Sequence, residues 1–245
     1  MIGVVGGGQL AMLLVEAGKK RDVDVFVQTG VETDPAAKKT KQVVLYDPTN
    51  AEGTRLLAEK TNLITFENEW IDIPSLLMLE NKGVSFLPKL QSIRPLINKI
   101  TQRELLNSLD IPCPDWLPIP LERSSEIDLP PDWGFPLMAK AAQGGYDGKG
   151  TKIIKNLKQL HELLEVETEE QWMLEKWISF EKELSIVSSR DSKGIVRSLP
   201  IVETYQSQQV CDWVLAPADI SHDVDLMVKN IVSSLLAELD YVGVI

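Results

Sequence analysis

The stretch KAAQGGYDGKGTKII, residues 140–154, sets lysines, a tyrosine and an aspartate among four closely spaced glycines, Gly144, Gly145, Gly148 and Gly150. Four glycines so close together cost far more backbone entropy than a turn requires. A loop this free can close over phosphates with its backbone N–H groups and a lysine. Lys140, on the strand leading in, can add a point charge to a polyphosphate. The stretch is not a Walker A loop: it lacks GK[ST], and TKII after Gly150 reads as a strand, not a helix. The simpler reading of the same residues is a glycine-rich β-turn with exposed lysines.

A second constellation is VVGGGQLA, residues 4–11, in which Gly6, Gly8 and Ala11 spell G-x-G-x-x-A between an apolar strand and a helix. That is the setting of a dinucleotide loop, whose helix N-terminus offers free N–H groups to an anion. A NAD site also needs an acidic side chain at the end of the second strand. Here that end reads VFVQTG, with Gln28 and Thr29, so NAD is disfavoured. Two readings remain: glycines serving a tight turn alone, or a non-dinucleotide ligand whose polar group meets the turn. A third element is LEKWI, residues 174–178, followed by Glu183. A strand edge can hydrogen-bond an adenine through its backbone, and a carboxylate shortly after can take ribose hydroxyls. Alone this signal is weak, because Glu175, Glu181 and Glu183 read equally well as solvated carboxylates.

The elements that would position these residues follow from periodicity. IGVV, VDVFVQTG, VVLYD, NLITFENE and VSFLP read as strands, with helices between most of them, which argues for a parallel sheet covered by helices. The first helix sets Leu10, Leu13, Leu14 and Ala17 on one face. This block closes near residue 92. Ile93 to Leu109 reads as helix, and IPCPDWLPIP, with its four prolines, cannot be helix interior. PLMAKAA and TKIIKN flank the glycine loop as strands, and NLKQLHELLEV is an amphipathic helix. WMLEKWISFEKELSIVSSR reads as strand, turn, strand. KELSIVSSR and GIVRSLPIVE, joined by DSKG, read as a β-hairpin. Asp223 to Leu239 is a helix with Leu226, Ile231, Leu235 and Leu239 at helical spacing. YVGVI begins a final strand and stops, which reads as a chain cut inside an element.

Composition bounds the function. The chain has 245 residues, 44% of them hydrophobic, enough for one or two domains with sizeable cores. The 25 basic and 36 acidic side chains leave a net charge of −11. That balance argues against nucleic acid and anionic membrane as partners. No apolar run is long enough to span a membrane and the N-terminus lacks a signal-peptide pattern, so the expected compartment is the cytoplasm. Cys113 and Cys211 form no C-x-x-C and are expected to be reduced. His161 and His222 read as surface residues. A metal site would have to use carboxylates, which suits magnesium.

Lysine on a strand, glycine flap, helix, then E-x-x-[VI] and a further Glu: in that order the elements resemble the ATP-grasp enzymes. GGGQLA, TFENE (65–69), NKITQRELL (98–106), GGYDGKG and EKWISFEKELSIV narrow the resemblance to the 5-(carboxyamino)imidazole ribonucleotide synthase family of purine biosynthesis, over essentially the whole chain. The resemblance implies an α/β fold: a Rossmann-like domain over residues 1–92, then an ATP-grasp fold (α+β). The small subdomain (93–174) would carry the flap, and 175–245 would begin the large one. It implies that Lys99 and Lys140 contact ATP phosphates, and that Gly145 to Thr151 form the flap, with Tyr146, Asp147, Gly148, Lys149 and Gly150 between. Glu175, Lys176, Trp177 and Ile178 would form the adenine edge and Glu183 the ribose acceptor. Gln206 stands where the family often has His; it would donate a hydrogen bond to the nucleotide but cannot titrate. Gln9, Leu10, Glu67, Tyr146, Asp147 and Lys149 would lie near the ribonucleotide, with Tyr146 and Asp147 catalytic.

The implied reaction uses ATP and bicarbonate to carboxylate aminoimidazole ribonucleotide, releasing ADP and phosphate. Magnesium ligands are expected beyond residue 245 and none within the chain. A full-length protein is expected to be a homodimer. The alternatives are a nucleotide-binding fragment without catalysis, or another ATP-grasp ligase such as the formate-dependent glycinamide ribonucleotide transformylase.

Overall fold

The computed structural model describes residues 1–120, 127–144, 150–165, 170–207 and 210–245. Gly145 to Lys149, and with them the expected roles of Tyr146, Asp147, Gly148 and Lys149, lie outside the described residues. The chain divides into two compact units, Met1–Arg94 with Leu239–Gly243, and Pro95–Glu238 with Val244–Ile245. Among the described residues no helix is long and apolar enough to cross a membrane.

The first unit alternates strand and helix: β1 (Ile2–Val5), α1 (Gln9–Lys19), β2 (Val25–Thr29), β3 (Val43–Leu45), α2 (Ala51–Ala58), β4 (Leu63–Phe66), α3 (Ile73–Glu80) and the short α4 (Leu90–Ile93). The strands form one parallel sheet in the order β3-β2-β1-β4, with Ile2 opposite both Val25 and Leu63. Helix starts are read by local side chains: Asn50 accepts from the amides of Glu52 and Gly53 at α2, and Asp72 from Ser75 at α3. The expected strand VSFLP contracts to a bridge between Ile64 and Phe86. Pro88 has no N–H with which to lengthen it.

The face expected of α1 is reversed. Leu10, Leu13 and Leu14 are 60%, 54% and 42% exposed, and Ala17 is exposed too. The buried stripe is Ala11, Val15 and Gly18. Small residues win the sheet side because the helix lies close to it: a Cβ on Gly18 would sit 2.7 Å from the Val23 carbonyl oxygen. The core is Val4, Ala11, Val15, Val25, Val27 and Ala36.

The second unit opens with α5 (Lys99–Ser108). Then come β5 (Trp116–Pro118), β6 (Leu137–Ala141), β7 (Thr151–Ile154), α6 (Leu157–Glu165) and β8 (Trp172–Lys176). The helix expected over 93–109 is interrupted: Arg94–Leu96 is a 3-10 turn around Pro95, and Asn98 recaps the chain by accepting from Ile100. The four strands form an antiparallel sheet, β5-β8-β6-β7. Residues 174 and 175, the expected subdomain boundary, are consecutive residues of β8. One face carries Leu137, Ala139, Ala141, Trp172 and Leu174 onto Leu160, Leu163 and Leu164 of α6. The opposite face carries Met173 against Ile100 of α5.

The rest is β9 (Glu183–Ser185), β10 (Ser188–Arg190), β11 (Val196–Ser198), β12 (Val202–Ser207), β13 (Val210–Leu215), α7 (His222–Glu238) and β14 (Gly243–Val244). The expected long hairpin is two pairings. Ser188–Arg190 pairs with Val196–Ser198 across an Asp191 turn, whereas Glu183–Ser185 pairs with Val202–Thr204. Pro200, lacking an N–H, stands where the first ladder would have to continue into the second. Sequence reading assigned no element to β13. Of the apolar set expected on α7, Leu226 is 45% exposed and Leu239, just past the helix, is buried, while within the helix the buried residue is Leu236.

Candidate functional site

In the first unit the G-x-G turn is shaped around a carboxylate of the same chain. Glu67, just after β4, accepts hydrogen bonds from the amides of Gly8 (2.7 Å), Leu10 (3.1 Å) and Ala11 (3.1 Å). These are the unpaired N–H groups at the start of α1, whose N-cap residue, Gly8, has no side chain to satisfy them. The glycines follow from this closeness: a Cβ on Gly6 would meet Glu67 at 2.5 Å and one on Gly8 at 2.6 Å. Gly6 also has φ +128, a value side chains strongly disfavour. The site that a ligand's anionic group would take is therefore filled by Glu67. Gln9 and Leu10 are both exposed beside it.

The end of β2 explains the missing ribose acceptor. Gln28 is fully buried; its amide donates to the carbonyls of Asp47 (2.8 Å) and Asn50 (3.0 Å), and its oxygen accepts from Thr54 (2.8 Å). Thr29 hydrogen-bonds Asp34. Both side chains where a NAD site would present a carboxylate are spent within the unit: Gln28 holds the loop after β3 and the start of α2, and Thr29 the loop between β2 and β3.

In the second unit the structure brings together two residues that the sequence assigned to opposite ends of a nucleotide. Lys140 stands opposite Met173 in the β6–β8 ladder, and Glu175 opposite Met138. They are therefore diagonal neighbours on one face of the sheet, within reach of a long side chain. Lys140 Nζ lies 2.5 Å from Glu175 Oε2. The other oxygen, Oε1, takes Arg103 of α5, with Nε at 2.7 Å and the outer guanidinium nitrogen at 2.6 Å. Glu175 is 3% exposed, whereas the side chains of Lys140 and Arg103 are 26% and 19% exposed. One buried carboxylate thus holds two cations that both reach solvent.

Lys99 is on the same α5 face, four residues before Arg103, and its ammonium donates to the Gly144 carbonyl at 3.1 Å. Its backbone N–H donates to Ala142. Helix α5 is thereby pinned to the segment after β6. Thr151, at the far side of the glycine loop, pairs directly with Lys140, and the Gly150 carbonyl accepts from Ala141. Both ends of the expected flap are anchored beside Lys140.

The expected adenine edge is corrected in part. β8 is an inner strand, and Glu175 is paired on both sides, with Trp116 and Met138. The Lys176 amide donates to Asp115, and its ammonium bridges Asp132 at 2.7 Å. That bridge holds the Asp132 carboxyl below its ordinary value and raises the Lys176 ammonium. Only Trp177 and Ile178, both exposed, lie past the ladder. Glu175 contributes a side chain rather than an edge. Glu183 is exposed on the edge strand β9 and pairs with Thr204. Gln206 is exposed where the β12–β13 register shifts. Such bulges re-aim a side chain.

Arg103 is the member of this cluster that sequence reading passed over. Its signal was the i, i+4 spacing from Lys99, two cations on one helix face in an acidic chain.

A family model of the ATP-grasp domain matches residues 104–245. The chain belongs to the ATP-grasp family. A second model, of the ribonucleotide synthetase preATP-grasp domain, matches residues 1–96. The two units described above thus correspond to a preATP-grasp domain and an ATP-grasp fold. The chain is 40% identical over 243 residues to the N5-carboxyaminoimidazole ribonucleotide synthase of Synechococcus elongatus, covering 99% of this chain and 61% of that protein. The carboxyaminoimidazole ribonucleotide synthase of Aspergillus clavatus, solved with ATP, superposes with a TM-score of 0.88 at 29% identity, over 99% of this chain and 64% of that one. A structure from the same organism, with ADP and 5-aminoimidazole ribonucleotide, gives 0.86 at 28%, with the same coverage. The ATP-grasp chain described here therefore spans about three-fifths of the length of these relatives.

Proposed function

We propose that the chain serves the ATP-dependent carboxylation of 5-aminoimidazole ribonucleotide by bicarbonate, with ATP held on the face of the second unit's sheet that carries Lys140. Bicarbonate oxygen attacks the γ-phosphorus and ADP departs, leaving carboxyphosphate. The exocyclic amine then attacks the carboxyl carbon, phosphate leaves, and the amine gives up a proton. Lys140 and Lys99 neutralise charge that builds on the transferring phosphoryl group. The described ends of the expected flap, Gly144 and Gly150–Thr151, stand beside Lys99 and Lys140, where a cover that keeps water from the labile intermediate would have to be anchored.

The observation that carries this reading is the pair of solvent-reaching cations on one buried carboxylate at the base of that loop. The similarity to synthases solved with ATP, and with ADP and the aminoimidazole ribonucleotide, supports it. Glu67 refines the ribonucleotide's side of the reading. Its carboxylate already fills the α1 N-terminus, so a ribonucleotide would meet this turn through hydrogen-bond donors, its amine or its ribose hydroxyls, and not through its phosphate. Exposed Gln9 stands beside that carboxylate. Among the described residues no three His, Cys, Asp or Glu side chains gather as a metal site.

The test is calorimetric titration of ATP into the chain and into its Lys140→Ala variant. Loss of one or two charge-assisted contacts at about 1.5–3 kcal/mol each should weaken binding by at least tenfold. Equal affinity in the two proteins would remove Lys140 from the phosphate site.

A further inference from the structure

We infer that Arg103 is a positioning residue that makes Lys140 available to the nucleotide: by keeping the buried Glu175 carboxylate neutralised, it lets Lys140 leave that carboxylate for a phosphate. The inference rests on the nucleotide reading above and adds to it a residue that the reading itself does not use.

The argument begins with Glu175. A carboxylate 3% exposed is tolerable only if paired, and removing the partner of a buried charge is strongly unfavourable. If Lys140 were the sole partner, its departure would strand the charge and the ammonium would be locked in place. Arg103 changes this balance. Its fork takes Glu175 Oε1 through two nitrogens, at 2.6 and 2.7 Å, while Lys140 takes Oε2 alone. The two-point contact is geometrically defined and does not compete for the oxygen Lys140 uses. The trio carries one net positive charge, so one cation is in excess of what Glu175 requires. Of the two, the lysine has a flexible four-carbon stem and a single contact to break. Lys140 also lies directly across from Thr151, at the returning end of the glycine loop, whereas Arg103 is fixed on α5. The lysine is therefore the cation that can move, and the arginine the one that holds the carboxylate.

The simpler account is that Arg103 only ties α5 to the sheet. In that account its removal would weaken folding and would lower affinity for every ligand alike. The two accounts differ in whether the effect passes through Lys140 and whether it depends on phosphate.

The experiment is a double-mutant cycle on the full chain with Arg103→Met and Lys140→Met, each titrated with ATP and with adenosine, with Arg103→Lys as the conservative variant. Thermal melts establish that each variant is folded. The expected results are an at least tenfold loss of ATP affinity in Arg103→Met, no further loss when the same change is made in the Lys140→Met background, and unchanged adenosine binding. Arg103→Lys should recover most of the ATP affinity, because it keeps a charge on Glu175. Equal losses in both backgrounds, or equal losses for ATP and adenosine, would overturn the inference. Should Arg103→Met not fold, Arg103→Lys and Arg103→Gln carry the same comparison. A normal effect of Lys140→Met with none from Arg103→Met would overturn only the role of Arg103. Absence of ATP binding by the unaltered chain would overturn the nucleotide reading and this inference with it.

Discussion

Replacing Glu67 by alanine tests the reading that the N-terminal glycine turn is built around a side chain of the same protein. Three amides lose their acceptor, at 2.7, 3.1 and 3.1 Å. The Leu10 amide is exposed and can turn to water, so it contributes little. The Gly8 and Ala11 amides are partly buried, and each should cost about 1 kcal/mol. Loss of a negative charge at the α1 N-terminus adds about 0.5–1 kcal/mol. The expected total is about 3 kcal/mol, two decades in the equilibrium for opening this end of the helix. Hydrogen exchange at Gly8, Leu10 and Ala11 reads it directly: Ala11, protected in the unaltered chain, should exchange about a hundredfold faster. Glu67→Gln keeps one oxygen acceptor without the charge and should fall between. Gly8→Ala should be destabilising alone, since the added carbon meets Glu67 Oε1 at 2.6 Å, and much less so when combined with Glu67→Ala. Unchanged exchange at these three amides, or strictly additive effects of the two substitutions, would refute the account.

Two further outcomes follow from buried polar groups in the first unit. Gln28→Leu should destabilise the chain by about 3 kcal/mol in urea titrations, because it strands the buried Thr54 hydroxyl and removes donors from two carbonyls; a loss below about 1 kcal/mol would contradict the bonding described. Burial raises the Tyr241 phenol above its ordinary 10.0. Above that pH the unfolded chain releases the proton first, so stability should fall as pH rises from about 10 toward the raised folded value. Tyr241→Phe should flatten that fall in thermal melts taken between about pH 9 and 11, and parallel curves for the two proteins would exclude the tyrosine as its source.

Much of this fold is legible from periodicity, because a parallel sheet with covering helices writes its strands as short apolar runs. What escaped depends on distance and crowding. The G-x-G spacing marks a tight turn, but its purpose lies 59 residues away at Glu67, and no local pattern connects the two. The leucines of α1 look like a core face, yet the sheet takes Ala11, Val15 and Gly18 because only small residues allow the helix so close. Lys140 and Glu175 were both singled out, but their contact depends on the register of β6 against β8. Register is a three-dimensional fact, and with it came Arg103. Similarly, the hairpin read from the sequence keeps its two arms but breaks into two ladders, Ser188–Arg190 with Val196–Ser198 and Glu183–Ser185 with Val202–Thr204, with Pro200 between them.

The two faces of the β6–β8 pair have opposite needs: leucine, alanine and tryptophan on the α6 side, lysine and glutamate on the α5 side. Since side chains alternate strictly along a strand, a one-residue insertion or deletion within residues 172–175 exchanges the faces at a stroke. The carboxylate would be driven into the leucines of α6 and an apolar residue set against Arg103 and Lys140. These strands can therefore accept many replacements of kind but hardly any single change of length. In a library of one-residue deletions, β8 should be among the segments where function and folding are lost together. The exposed turn at Asp191–Gly194, which bears no such two-sided burden, should admit added residues.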